Sequence, residues 1–199
     1  MAIDSKLVKE LREMTGAGIL DCKNALESSN GDMNGAIEYL KKRNQAAVVK
    51  KMSREAKDGK IASYIHGDGR IGVLVEINSE TDFVARSEGF QDFVKEVMLQ
   101  ITSMNPKYLK PEDIPEADMA AQKDIFMGQM EDVKKPEEVK AKIIEGKMAK
   151  WFTEVCLLEQ PYIRDDSKKV KDLLTEVVGR CGENIRVRRF MRFELGEGL

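Results

Sequence analysis

An α+β fold is the architecture this sequence predicts, on three observations. Ile61, Ser63 and Ile65 alternate with other residues, Ile71, Val73, Val75 and Ile77 do so again, and an Asp68-Gly69 turn lies between them, the pattern of a β-hairpin. A third alternating segment, 185–195, lies far along the chain and can join the same sheet. Elsewhere apolar residues recur at three- and four-residue spacing, the period of a helix buried on one face.

The chain opens with three short helices over residues 1–45. Asp4 or Ser5 can cap the first, whose Leu7, Val8, Leu11 and Met14 share a face. Thr15-Gly16-Ala17-Gly18 breaks it. A second helix runs from Ile19 to about Ser28, with Leu20, Ala25 and Leu26 as apolar candidates. Asn30-Gly31 is a turn signal, and Asp32 caps a third helix with Met33, Ala36, Ile37 and Leu40 on one side. Residues 41–60 are strongly basic, and 46–58 read as a helical linker ending near Asp58-Gly59.

The core domain is expected over 59–199. Its hairpin ends at Asn78-Ser79-Glu80, and a helix from about Ser87 to Met104 buries Phe90, Phe93, Val94, Val97 and Ile101. Pro106, Pro111 and Pro115 punctuate a charged middle. There 117–131 and 136–152 each suit a helix, and the two can pair as a projecting antiparallel hairpin at about 117–152. Ser167 is the expected cap of a helix through Arg180, with Val170, Leu173, Leu174, Val177 and Val178 buried. In the last strand Ile185 and Val187 fall on one parity and Phe190 on the other. That phase break predicts a bulge at Arg188-Arg189.

Composition excludes several chemistries. The 199 residues are 42% hydrophobic and only 6% aromatic, enough for an aliphatic core and too apolar for a disordered chain. One histidine, His66, and three cysteines at no ligand spacing, Cys22, Cys156 and Cys181, point to no metal site and no Cys–His nucleophile. Net charge is −2, so global charge does not announce a nucleic-acid binder. No apolar run approaches the roughly 20 residues of a membrane helix. The start, Met1-Ala2-Ile3-Asp4-Ser5-Lys6, lacks a signal-peptide pattern, so a cytoplasmic protein with reduced thiols is expected, one intermolecular disulfide staying open.

Gly67-Asp68-Gly69-Arg70-Ile71-Gly72 has the spacing of a phosphate loop, but a strand follows it where a nucleotide fingerprint needs a helix; it reads as a hairpin turn. The basic linker and Arg186, Arg188, Arg189 and Arg192 fit solvated faces better than a phosphate track, without aromatic interleaving for base stacking. His66 reads as a turn residue or partner contact rather than a proton shuttle. Thr81-Asp82-Phe83-Val84-Ala85-Arg86 is anomalous: an apolar pair follows a polar turn. Two readings fit. Phe83 enters the core with Asp82 as a helix cap, or Phe83 is an exposed anchor beside a carboxylate, facing a partner.

Residues 11–26, LREMTGAGILDCKNAL, resemble the N-terminal signature of the elongation factor Ts family. Residues 80–86, ETDFVAR, resemble its second signature, and 190–198, FMRFELGEG, are similar to its C-terminal end. The resemblance spans essentially the whole chain. It implies a ubiquitin-associated-like three-helix domain, a linker, an antiparallel-sheet core with helices and a projecting helical hairpin. It further implies a non-enzymatic guanine nucleotide exchange factor that binds elongation factor Tu·GDP, disturbs its Mg²⁺ and phosphate site and releases GDP during translation elongation. By that resemblance Thr81, Asp82, Phe83 and Val84 act at the Mg²⁺ site, Arg12, Met14, Ile19, Leu20 and Lys23 dock the GTPase domain, and His66 touches the same partner. Leu20 is the one of these expected to pack in the bundle instead. No cofactor, direct nucleic-acid contact or membrane is implied. Longer members carry a duplicated core, and a short chain such as this is expected to form a homodimer to complete the surface. The rival classes are an RNA binder using the basic segments and an adapter built on the N-terminal bundle alone.

Overall fold

The computed structural model describes residues 4–15 and 17–198. Residues 1–3, Gly16, Leu199 and the side chains of Asn44, Gln45, Ala47 and Val49 lie outside that description. The chain divides into two units, Met1–Arg54 and Glu55–Leu199.

The first unit holds α1 (Ser5–Thr15), α2 (Ile19–Ser28) and α3 (Met33–Met52). Leu11, Cys22, Ala25, Leu26, Ala36 and Leu40 form its buried cluster, with Leu7, Val8, Met33 and Ile37 packed against it. Small side chains at Cys22, Ala25 and Ala36 let the helices approach closely. Asp32 caps α3, its carboxylate accepting from the Gly35 N–H at 2.6 Å. Two expectations fail here. Met14, in the last turn of α1, is 61% exposed, and Leu20 is 69% exposed rather than packed in the bundle. Leu20 precedes Cys22 by two residues, which sets it on the opposite side of α2 from the buried Cys22, Ala25 and Leu26.

The basic segment expected as a separate linker is the second half of α3. The helix stops at Met52, where the Ser53 hydroxyl donates to the Lys50 carbonyl, short of the expected end at Asp58-Gly59. Asp58 and Gly59 instead begin β1 (Asp58–His66), pairing with Ser79 and Asn78 of β2 (Ile71–Ser79). Gly59 has φ +133°, and a Cβ there would sit 2.2 Å from the Ile77 carbonyl oxygen, so only glycine fits this approach.

The sheet of the second unit has the order β1-β2-β5, all antiparallel, with β5 at Arg186–Glu194. Glu76 pairs with Arg189 and Ile77 with Val187, so Arg188 is the extra residue of a bulge at the expected place. Ala62, Val73, Val75, Ile77 and Val187 are buried on the inner face. There α5 (Glu88–Met104) packs with Phe90, Phe93, Val94, Val97 and Ile101 buried, and α8 (Val170–Cys181) packs on α5 with Val170, Leu174, Val177 and Val178. Leu173 is only half-buried. The outer face leaves Ile61, Ile65, Leu74, Met191 and Phe193 exposed.

Ser167 is not a helix cap. It lies in β4 (Asp165–Lys169), which pairs with β3 (Pro161–Tyr162), and its hydroxyl donates to Asp165. The helix starts later because Asp172 accepts the Lys169 N–H at 2.9 Å, placing the cap at Lys169. Between α5 and β3, α6 (Glu116–Gly128) and α7 (Glu137–Val155) form the helical hairpin, with no buried residue in either and an apolar groove lined by Met119, Met127, Ile144, Met148 and Phe152. At its root the buried Gln100 and Gln160 amides bond to each other and to the carbonyls of Met104, Glu154 and Pro161.

Candidate partner-binding site

The anomalous segment is a short helix of its own, α4 (Asp82–Arg86), set between the end of β2 and the start of α5. Five residues cannot hold a helix unaided, because nucleation fixes several dihedrals for one hydrogen bond. External contacts do it. Ala85 is buried and anchors α4 against β1, β2 and α5. The Thr81 hydroxyl oxygen accepts from the Val84 N–H at 3.4 Å, so Thr81, not Asp82, is the cap. At the other end Ser87 donates to the Val84 carbonyl at 2.7 Å and accepts from the Phe90 N–H, stopping one helix and starting the next.

The cap is itself gripped from far along the chain. The Glu183 carboxylate accepts the Thr81 N–H at 3.0 Å and the Thr81 O–H at 2.7 Å, across 102 positions. Beside it the Glu80 carboxylate accepts the Asn184 N–H at 2.6 Å, and the Ser79 hydroxyl donates to the Thr81 carbonyl. In the sequence, residues 181–184 have only the look of a turn between a helix and a strand, and Glu183 is one more polar residue in it. Nothing local marks its carboxylate, because the partner lies in another element.

On this base Phe83 is 80% exposed. The reading that buried it in the core fails, since Ala85 occupies the inward position of α4. Asp82 is half-exposed and pairs with Arg86 one turn on at 2.7 Å, and Val84 is half-buried. The pair is solvent-facing and worth under about 1 kcal/mol, so Asp82 is readily released to another cation.

His66 does not join this group. It ends β1 at the hairpin tip, exposed, with Nδ1 3.0 Å from the Tyr64 hydroxyl. Strands of nine residues separate that tip from α4, roughly 25 Å of extended chain. In the first unit, Arg12, Met14, Ile19, Leu20 and Lys23 are all exposed at the α1–α2 corner, with Lys23 3.9 Å from Glu27. The apolar trio and the two cations beside it therefore lie on the surface of this unit rather than in its core.

The terminal arginines are largely engaged. Arg188 and Arg189 both pair with Glu76, at 3.1 and 2.7 Å, and Arg192 pairs with Glu194 at 2.7 Å. The Arg189 hydrogen bond holds the Glu76 carboxyl below its ordinary value, against its desolvation. All three cysteines are free; Cys22 and Cys156 are buried, and burial pushes the Cys156 thiol up to about 11. Among the described residues no group of three His, Cys, Asp or Glu side chains could hold a metal ion, and no helix is long and apolar enough to cross a membrane.

A family model described as Elongation factor TS matches residues 23–197. A protein of Caldanaerobacter subterraneus subsp. tengcongensis named Elongation factor Ts is 53% identical over 197 residues, covering 99% of this chain and 98% of its own. Proteins of the same name from Carboxydothermus hydrogenoformans and Thermotoga maritima are each 52% identical. They cover 99% and 100% of this chain, and 91% and 98% of their own lengths.

Proposed function

This chain belongs to the elongation factor Ts family, and we propose that residues 81–84 are the part of it that drives nucleotide from elongation factor Tu. Its function is guanine nucleotide exchange on that partner during translation elongation, in the cytoplasm. No covalent bond is made or broken by the factor, so it is not an enzyme. It must bind the nucleotide-free GTPase more tightly than the GDP-bound one; linkage then weakens GDP by the same factor. Each tenfold of GDP affinity lost needs about 1.4 kcal/mol of differential binding.

The observation that carries the proposal is Phe83, 80% exposed on a five-residue helix that is seated on its own core by the buried Ala85. An aromatic ring held away from its own core gains its burial only in a partner. Phe83 inserts between helices of the GTPase domain, and Asp82, exchanging Arg86 for a new partner, disturbs the surroundings of the Mg²⁺ ion. Thr81 and Val84 set the angle of the helix. Arg12, Met14, Ile19, Leu20 and Lys23 dock the same GTPase, and His66 makes a separate contact through the hairpin tip. Stopped-flow release of a fluorescent GDP analogue from elongation factor Tu tests this. Phe83→Ala should slow stimulated release about thirtyfold or more, an anchor of about 2 kcal/mol or above. Undiminished stimulation by the variant would move the mechanism elsewhere.

The homodimer forms through the outer face of the sheet. Ile61, Ile65, Leu74, Met191 and Phe193 are exposed there. The one carboxylate among them, Glu76, is paired with both Arg188 and Arg189. A largely apolar face whose carboxylate is already paired suits a second copy of itself across a two-fold axis. Sedimentation velocity should find a dimer for the intact chain and a monomer for Phe193→Asp; a monomeric intact chain at micromolar concentration would refute the assignment.

A further inference from the structure

We propose that Glu183 is a positioning residue for Phe83: its carboxylate, reaching over from the α8–β5 turn, sets the helix that carries the ring. The inference rests on the reading of Phe83 as the displacing side chain, and adds to it the group that makes the ring effective.

The argument begins with Thr81. Its hydroxyl has one proton, and that proton is committed to Glu183 Oε1 at 2.7 Å. The oxygen lone pairs are then left for the Val84 N–H, which is the cap of α4. The other carboxylate oxygen takes the Thr81 N–H at 3.0 Å. One carboxylate therefore fixes both the backbone and the rotamer of the capping residue, two positions before Phe83. Both bonds are charge-assisted, stronger than neutral ones.

Glu183 is held in turn. Gly182, with φ +78°, ends α8 and turns the chain toward α4. Asn184 is buried, and its N–H is bound by Glu80, the neighbour of Thr81. The two corners thus brace each other in both directions: a carboxylate from each takes backbone N–H from the other. The other contacts of α4 hold its far end: Ala85 is buried, its carbonyl accepts from the Gln91 side-chain amide, and the Val84 carbonyl accepts from Ser87. Phe83 itself is solvated, and the Asp82–Arg86 pair lies within the helix. Without Glu183, α4 keeps Ala85 in place but loses the restraint on its first turn, and the ring samples orientations that do not enter the partner.

The test uses the intact chain with Glu183→Ala, Glu183→Gln and Phe83→Ala, singly and with Phe83→Ala combined with Glu183→Ala. Stopped-flow GDP release from elongation factor Tu is measured across a titration, and backbone amide exchange is read on each variant. Glu183→Ala should lower the saturating release rate about tenfold, as expected for losing hydrogen bonds to a charged group. The half-saturating concentration should stay within about twofold, since docking surfaces are untouched. Glu183→Gln, which keeps one acceptor oxygen, should fall between, and it carries the test if the alanine variant does not fold. Amides of Thr81 and Val84 should exchange faster while the β2–β5 ladder stays protected. On the Phe83→Ala background, Glu183→Ala should add less than about twofold, because both act through one ring.

Full rates with Glu183→Ala and Glu183→Gln beside a slow Phe83→Ala would overturn the clamp and leave the role of Phe83 standing. Losses that multiply in the double variant, or a ladder that loosens along with the cap, would overturn it as well. A normal rate for Phe83→Ala would remove the underlying reading and this inference with it.

Discussion

At the α1–α2 corner of the first unit, Met14, Ile19 and Leu20 stand exposed beside a cluster drawn from residues 11–40, so the surface and its support are neighbours in sequence. Phe83 stands exposed on α4, whose cap is gripped by a carboxylate 102 positions away. The first surface is presented by ordinary helix packing. The second needs a completed tertiary fold, because a helix of five residues has no stability of its own. Two apolar surfaces of similar chemistry therefore differ in what can disable them: the first through its small hydrophobic cluster, the second through polar contacts between distant turns.

The largest effect that would sharpen this difference is on stability. Leu26→Ala should destabilise the first unit by about 2–4 kcal/mol, the usual range for a buried leucine. Amide exchange should show α1–α3 losing protection while the β2–β5 ladder keeps it. Equal loss in both units would erase the distinction. Leu20→Ser comes next and separates surface from core. Its stability should stay within about 0.5 kcal/mol in urea titration, as for a surface change. The half-saturating concentration for stimulated GDP release should rise roughly tenfold, if Leu20 is a docking anchor.

The smallest effect concerns acid. Glu159 is desolvated by burial, which raises its pKa, yet hydrogen bonds from Lys169 and Lys171 outweigh that and hold it below the ordinary value of 4.5. The sign follows: a depressed carboxylate contributes stability that is fully present above the unfolded value and is lost as pH falls through the folded one. Glu159→Gln should therefore lower the second unit's stability at neutral pH by at most about 1 kcal/mol and flatten its acid limb below about pH 4.5, where variant and parent converge. An acid limb that keeps its slope in the variant would place the sensitivity in other carboxylates.

Much of the architecture was legible in the chain itself. The Asp68-Gly69 turn, the alternation on either side of it and the parity change at Arg188-Arg189 are local patterns, and pleating allows them few other solutions. The helices followed from their period. The three signature segments identified the family, since long runs of specific residues carry more information than composition. What failed in the sequence reading failed for one reason. Met14 and Leu20 were assigned by hydrophobicity, but which face of a helix is buried depends on the neighbouring helices. Ser167 was assigned by cap preference, but Lys169 paired across to Pro161 moved the start of α8. Phe83 had two local solutions, and Ala85 taking the inward place decided between them. Glu183 carried no local signal at all. Periodicity and turn chemistry are properties of neighbours along the chain and are written there. The choice of buried face, the seat of α4 and the grip on Thr81 arise from pairs of residues far apart in sequence, which only folding brings within hydrogen-bonding distance.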